Sequence, residues 1–192
     1  MSKSGSDTKN KGKHSRTKWI ITIFFLTIVI SAFISLCSTQ LMAVSTMAVA
    51  FVVLLVIVLI GIVFDIIGVA VTSADEKPFH SMAARKVPGA QEAIRLLRKA
   101  DKVSSICCDV IGDICGVVSG SASAAIVTQI LTNFDFSVPQ LISLGMSALV
   151  AGTTVGGKAI GKGFAIGSST EIVHSVGKLI WTCGHLFHKK DR

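Results

Sequence analysis

The chain has 192 residues, 51% of them hydrophobic, and a formal net charge of +8. Its mean hydropathy of +0.68 is rarely reached by a soluble domain, and runs of about 18 or more apolar residues are what a helix needs to cross a bilayer. The basic residues gather at the N-terminus, in one central segment and near the C-terminus. They therefore read as anchors facing anionic lipid, not as a nucleic-acid surface, which needs a folded basic face with aromatic or motif support.

Residues 1–18 form a polar arm with six Lys/Arg opposed only by Asp7. With nothing to bury, the arm is expected to be disordered and cytoplasmic. Residues 19–36 are an uncharged apolar run. A basic arm before an apolar core also fits a signal peptide, but this run is longer than a signal core, and no clear small-x-small site leads into a polar mature domain. The expectation is an uncleaved span within residues 19–38. After a short uncharged turn, a second apolar stretch runs from about residue 42 to 72, interrupted only by Ser45, Thr46 and Asp65, and is long enough to span with tilt.

Residues 73–102 are the one long polar segment inside the apolar sequence. They carry seven Lys/Arg (Lys77, Arg85, Lys86, Arg95, Arg98, Lys99, Lys102) and four acids (Asp75, Glu76, Glu92, Asp101). Ser73 and Glu76 have the spacing of a capping box. A short helix is expected after Pro78 as far as Lys86, broken by Val87-Pro88-Gly89. A second is expected over residues 90–101, with Ile94 and Leu97 on one face beside Arg95, Arg98 and Lys99, an interfacial amphipathic pattern. This segment is read as a cytoplasmic collar from which the spans are hung.

The third apolar stretch, residues 103–131, contains Asp109 and Asp113. A short outer turn with Pro139 leads to a fourth, residues 141–160, containing Lys158. After a glycine-rich exit, residues 164–188 read as an amphipathic helix on the membrane surface, with Ile172, Val176, Ile180, Cys183 and Phe187 in a stripe. The fold class is thus an all-α integral membrane protein with about four transmembrane helices, a cytoplasmic juxtamembrane helix pair and a C-terminal amphipathic helix. The turns near residues 37–41 and 132–138 hold no Lys or Arg, so both termini and the collar are expected in the cytoplasm of a multi-pass cell-membrane protein.

Gly112, Gly116, Gly120 and Ala124 recur every four residues, and Gly152/Gly156 and Gly157/Gly161 repeat the spacing. Small-xxx-small faces let helices approach closely in lipid; the pattern fits packing within one chain and a homodimer seam through Gly112, Gly116 and Gly120 equally. Ionisable groups inside spans usually face a partner, a cavity or an ion path. Asp109 and Asp113, four apart, share a helix face; Asp65, Lys158 and Asp109 also fit snorkelling to water, whereas Asp113 is deeper and fits a functional or paired role better. The run Gly156 to Gly163 nearly fits a phosphate-binding loop but puts Gly163 where the hydroxyl should stand, with no strand before it. Cys183, His185 and His188 are thin support for a soft-metal site. The five cysteines, Cys37, Cys107, Cys108, Cys115 and Cys183, are odd in number and lack framework spacing. No nucleophile–base pair or catalytic carboxylate pair stands out, so an enzyme is not expected.

Three segments together resemble the transmembrane domain of the CNNM/CorC (CorB-like) magnesium and cobalt transporter family. Residues 64–73, FDIIGVAVTS, resemble the end of the family's first span, keeping Ala70 and Ser73. Residues 90–102, AQEAIRLLRKADK, resemble the family's A-x-x-A-L-x-L-L-x-x-P-D-R. Residues 157–162, GKAIGK, followed by Glu171, resemble its G-E-I-I-P-K and later Glu. The resemblance covers roughly residues 61–179, within a candidate domain at 42–188, and implies divalent cation transport, with magnesium or cobalt as cargo. The family's ligands are Ser hydroxyls, an Asn and a Glu carboxylate. Here Gly61 and Asp65 stand at the two Ser positions, Gly68 replaces the Glu of the first motif, and the third stretch has no Asn. Lys158 replaces the ligand Glu, and no CBS pair is present. Two readings follow. Either Asp65, Asp109 and Asp113 form a carboxylate site for a divalent cation such as magnesium, or the chain is a degenerate, non-transporting membrane scaffold or partner protein in which Lys158 pairs with Asp109 or Asp65. An ammonium in a magnesium site would repel the ion and take its place.

Overall fold

The structure, a computed structural model, describes residues 19–37, 40, 46–133 and 139–188. The basic arm, most of the 37–41 turn, the core of the 132–138 turn and the last four residues lie outside the described residues, as do the side chains of His185, Phe187 and His188. The described part is helical: α1 (Trp19–Cys37), α2 (Met47–Ser73), α3 (Lys77–Ala84), α4 (Ala90–Leu97), α5 (Ala100–Asn133), α6 (Pro139–Gly167) and α7 (Ser169–His188). Four of these, α1, α2, α5 and α6, are long and apolar enough to cross a membrane. Their large apolar side chains, such as Phe24, Val52, Leu144 and Ile160, are exposed around the bundle. Water would penalise such a surface and acyl chains would not, so the apolar helices mark a membrane protein.

Helix α2 is the axis. It packs against α5, α6, α7 and the collar. Its buried positions Leu54, Val58, Gly61, Asp65 and Gly68 follow each other at three- and four-residue steps, the seam spacing of two helices wound closely together. The glycines lie where α5 comes nearest. A Cβ at Gly61 would stand 2.9 Å from the Cβ of Cys115, and one at Gly68 would meet the Cys108 thiol and lie 3.2 Å from the Cβ of Cys107. The next face of α2 meets α6 in the reverse sense: Ile62 and Ile66 fill the space that Gly157 and Gly161 leave free. Farther along, Ala50, Leu54 and Val58 pack with Ala122 and Ile126 of α5 and Val150 of α6. Helix α1 stands outside, with Ile23, Ile30 and Ile34 against Val110, Ile114 and Val118 of α5. Chain direction alternates through the four spans.

The start of α5 has wide, π-type turns over Ser105–Gly112. This stretch lies against Gly68, where Cys107 and Cys108 both reach α2. The Cys108 thiol donates a weak bond to the backbone carbonyl of Asp65 at 3.7 Å. π turns gather at sites where a helix must re-aim side chains, and here they turn two successive cysteines toward one glycine.

The collar closes one end of the bundle. Phe79, Ala93, Ile94 and Leu97 join Ala70 and Val71 of α2, Ala165 of α6 and Val173 of α7 in a single buried cluster. Trp19 at the start of α1 lies at the same end, with the Lys102 ammonium 4.8 Å from its ring. Helix α3 stops in a Schellman turn, in which Lys86 N–H bonds Ala83 O, Val87 N–H bonds Met82 O, and Lys86 holds φ 57°. Gly89, at φ 84°, then leads into α4 at the one place where α4 and α7 touch backbone to backbone. A Cβ at Gly177 would lie 2.5 Å from Gly89 O, and one at Gly89 would overlap Lys178.

Several boundaries differ from the sequence expectation. Ser73 ends α2 instead of capping α3. Glu76 is the N-cap residue of α3 and makes no side-chain cap; the nearby side-chain bond is from Lys77 N–H to the Asp75 carboxylate, 3.2 Å. The helix expected over residues 90–101 breaks at Arg98–Lys99, because Ala100 begins the long α5. The buried stripe of α7 runs through Val173 and Gly177, with Ile172 and Val176 half-buried and Ile180 and Cys183 exposed. The small Gly177 decides which face approaches α4.

Replacing Gly68 by alanine should destabilise the bundle by about 1–3 kcal/mol, the usual range for overpacking. Adding Cys108→Ala should recover most of that loss, because the thiol is the nearest obstacle. Thermal unfolding in detergent checks both variants; a Gly68→Ala protein as stable as its parent would contradict the close approach of α2 and α5.

Candidate functional site

Asp65 is the only buried carboxylate among the described residues, at 5% exposure. It sits in the middle of the α2 seam between Gly61 and Gly68, and those two glycines bring α5 close enough to bury it. Its Oδ2 has no hydrogen-bond partner. A bare carboxylate away from water is costly unless a cation or donor faces it.

The facing group comes from α6. Around Gly112 of α5, the position of a Cβ would lie 3.4 Å from the Lys158 Nζ and 4.0 Å from the Asp65 Oδ1. Gly112 is thus the position on α5 that lies beside both charged groups. They do not close into an ion pair. The ion pairs among the described residues are His80–Glu76 at 3.5 Å, Arg95–Glu92 at 3.8 Å and Arg98–Glu76 at 3.6 Å, all in the collar. Being exposed, each of these contributes at most about 1 kcal/mol. The Asp65–Lys158 relation is instead one of two charged groups set beside a common glycine without direct contact. Lys158 reaches it because Gly157, one residue earlier, seats α6 on Ile62.

Asp109 and Asp113 are placed elsewhere. Both are exposed on α5, on the face that carries the exposed Val117 and Gly120. The described residues contain no group of three or more His, Cys, Asp or Glu side chains close enough to hold a metal ion. Of the residues singled out in the sequence, the structure brings Asp65 and Lys158 together and leaves Asp109 and Asp113 apart from them.

One turn beyond Gly112 and Lys158, α5 and α6 diverge. Gly116, Ser119 and Gly120 on one side and Ser147, Ala151 and Thr154 on the other border a cleft of about 250 Å³. Gly116, Gly120, Gly152 and Gly156 have nothing within 4 Å of a would-be Cβ among the described residues, so these glycines serve no close helix contact there. Ser119 and Thr154 donate to carbonyls of their own helices, Gly116 O at 2.9 Å and Val150 O at 2.8 Å. The buried Ser123 hydroxyl has no partner.

Sequence reasoning missed Gly61 and Gly68 as packing residues and Gly112 as the position beside both charges. The available signal was their position: Gly61 and Gly68 flank the sole charge of the second span, and Gly112 precedes Asp113 in the third. Comparisons with protein-family models, with curated proteins and with solved structures found no match to this chain.

Proposed function

We propose that this chain is a multi-pass membrane scaffold, degenerate with respect to the CNNM/CorC-like transporters it resembles, whose central cation is its own Lys158. The observation that carries the reading is the placement of the Lys158 Nζ and the Asp65 Oδ1 on the same glycine, Gly112. A carboxylate buried by helix packing attracts a cation, and a lysine already held beside it competes with any free ion. The orientation that goes with this reading puts both termini and the collar in the cytoplasm. It is supported by the gathering of Trp19, the collar and the α6–α7 junction at one end of the bundle, together with the positive-inside rule.

Divalent cation transport, of magnesium or cobalt, is the second reading. What favours it is the Asp65 Oδ2, buried without a partner, since hard cations take carboxylate oxygen. The two readings differ in what removal of Lys158 does.

On the scaffold reading, Lys158→Met strands Asp65 and lowers the unfolding temperature, Asp65→Asn restores part of it, and the coupling is about 1–3 kcal/mol. Additive effects would sink the pair. In proteoliposomes, magnesium flux through the parent should equal that of empty vesicles and of Asp65→Asn; flux above background that Asp65→Asn abolishes would establish the transport reading instead.

The same scaffold is proposed to pair with a second copy across the exposed α5 face. A carboxylate presented directly to acyl chains costs about 2.5–3.5 kcal/mol near mid-bilayer, and Asp113, the deeper of the two exposed acids of α5, shares that face with Val117 and the uncovered Gly120. With the native cysteines replaced by serine or alanine, Val117→Cys should oxidise to a covalent dimer in native membranes, while Ile160→Cys on the far surface of α6 should not. Equal cross-linking at both positions would show random collision.

A further inference from the structure

The junction of α1 with the collar carries two adjoining cavities of opposite character. The first, about 910 Å³, is bordered by Arg98, Lys99 and Lys102, with Trp19 on its wall and Asp101 as its single acid. Three cations against one acid leave it net positive. The second, about 700 Å³, is a shallow groove along one face of α1, formed by Ile20, Phe24, Ile28 and the smaller Thr27, Ser31 and Ala32. Ile20 borders both, so the groove begins where the basic cavity ends.

We infer that this pair of cavities binds one anionic glycerophospholipid, its phosphate headgroup among Arg98, Lys99 and Lys102 and an acyl chain along the α1 groove. The chemistry of each part selects the occupant. A basic cavity at the end of a span sits at headgroup depth, where phosphate is the abundant anion. The groove runs along the span, with the small Thr27, Ser31 and Ala32 beside the larger Ile20, Phe24 and Ile28, an apolar surface suited to an acyl chain. Trp19 marks the boundary, as tryptophan does at membrane interfaces, and its ring also holds the Lys102 ammonium at 4.8 Å. Arg98 is partly engaged by Glu76 at 3.6 Å and Lys102 by Trp19, which leaves Lys99 as the cation freest to meet a headgroup. A soluble phosphate compound would use the basic cavity but not the groove. The lipid explains both, and it adds a bridge from α1 to the collar beside the contacts that α1 makes with α5.

The chain has two tryptophans, so Trp181→Phe leaves Trp19 as the only reporter. The full chain is reconstituted in phosphatidylcholine vesicles containing a small fraction of brominated phosphatidylglycerol or brominated phosphatidylcholine, and the quenching of Trp19 is compared. Phosphatidylglycerol should quench more strongly at equal fraction, and Lys99→Gln should lower its relative binding constant by about fivefold, the worth of one basic residue near an anionic lipid. Lys86→Gln, a collar lysine outside both cavities, should leave that constant unchanged; circular dichroism and gel filtration report that the variants are folded. Equal quenching by the two lipids overturns the inference. So does an equal effect of Lys86→Gln, which would mean diffuse surface charge. Relief of quenching by sodium phosphate, but not by sodium chloride of matched ionic strength, would assign the cavity to a soluble phosphate and also overturn it.

Discussion

The approach of α2 to α5 at Gly61 and Gly68 is the contact on which the rest of the bundle depends. Between helices in lipid there is no hydrophobic drive to associate, so van der Waals contact and polar groups decide which faces meet. The two glycines remove the side chains that would hold the backbones apart, and the α5 cysteines occupy the freed space. Asp65, on the same face of α2 between the two glycines, is buried as a consequence. The placement of α6 follows from the adjacent face of α2. Ile62 and Ile66 project into gaps left by Gly157 and Gly161, which turns the next residue, Lys158, toward Gly112. The charged pair is thus the product of two glycine contacts, one on each side of the same helix.

The collar repeats the device outside the spans. Gly89 and Gly177 let α4 and α7 touch through their backbones, and Phe79 plugs the space among the ends of α2, α6 and α7. The collar therefore is a lid packed on the bundle as well as a charged belt. Its ion pairs are exposed and weak; its apolar cluster holds it. The lysines and arginines remain on the outside, available to a lipid surface.

Hydropathy made the four spans and the collar legible, because burial in lipid demands long uncharged runs and leaves polar residues nowhere else to go. The side-chain sites were less legible. The evenly spaced Gly116 and Gly120, the most regular motif in the sequence, line an open cleft, whereas Gly61 and Gly68, which stand out in the sequence only as absent ligands, make close contacts with α5. Spacing identifies a face, but the partner helix determines whether that face is used. The α7 stripe shows the same limit: Ile180 and Cys183 continue the apolar period yet remain exposed, and Val173 and Gly177 are buried because α4 happens to meet them. Asp65, Asp109 and Asp113 look alike in sequence, each a lone acid in an apolar run. Which one is buried depends on helix rotation, and in α5 the wide turns before Asp113 change that rotation in a way no periodicity reports.

A buried carboxylate needs a cation, and the proposed scaffold differs from a transporter in how the cation is supplied. A free ion occupies a site only while its concentration exceeds the dissociation constant, so a bundle held by it would loosen when the ion is scarce. A lysine on a neighbouring helix is present at a fixed, high effective concentration set by the fold. On the proposed scaffold reading, Lys158 is the cation that offsets Asp65, and a free ion gains little by entering. The same tether removes the property that transport requires, because a charge bonded to α6 cannot leave on either side. Where Gly61 and Gly68 stand, hydroxyl or carboxylate side chains would have added ligands to the seam; glycine instead tightens it. Glycine at both positions offers no ligand and permits close helix contact, and on the proposed reading both properties favour a rigid helical core over a site that opens.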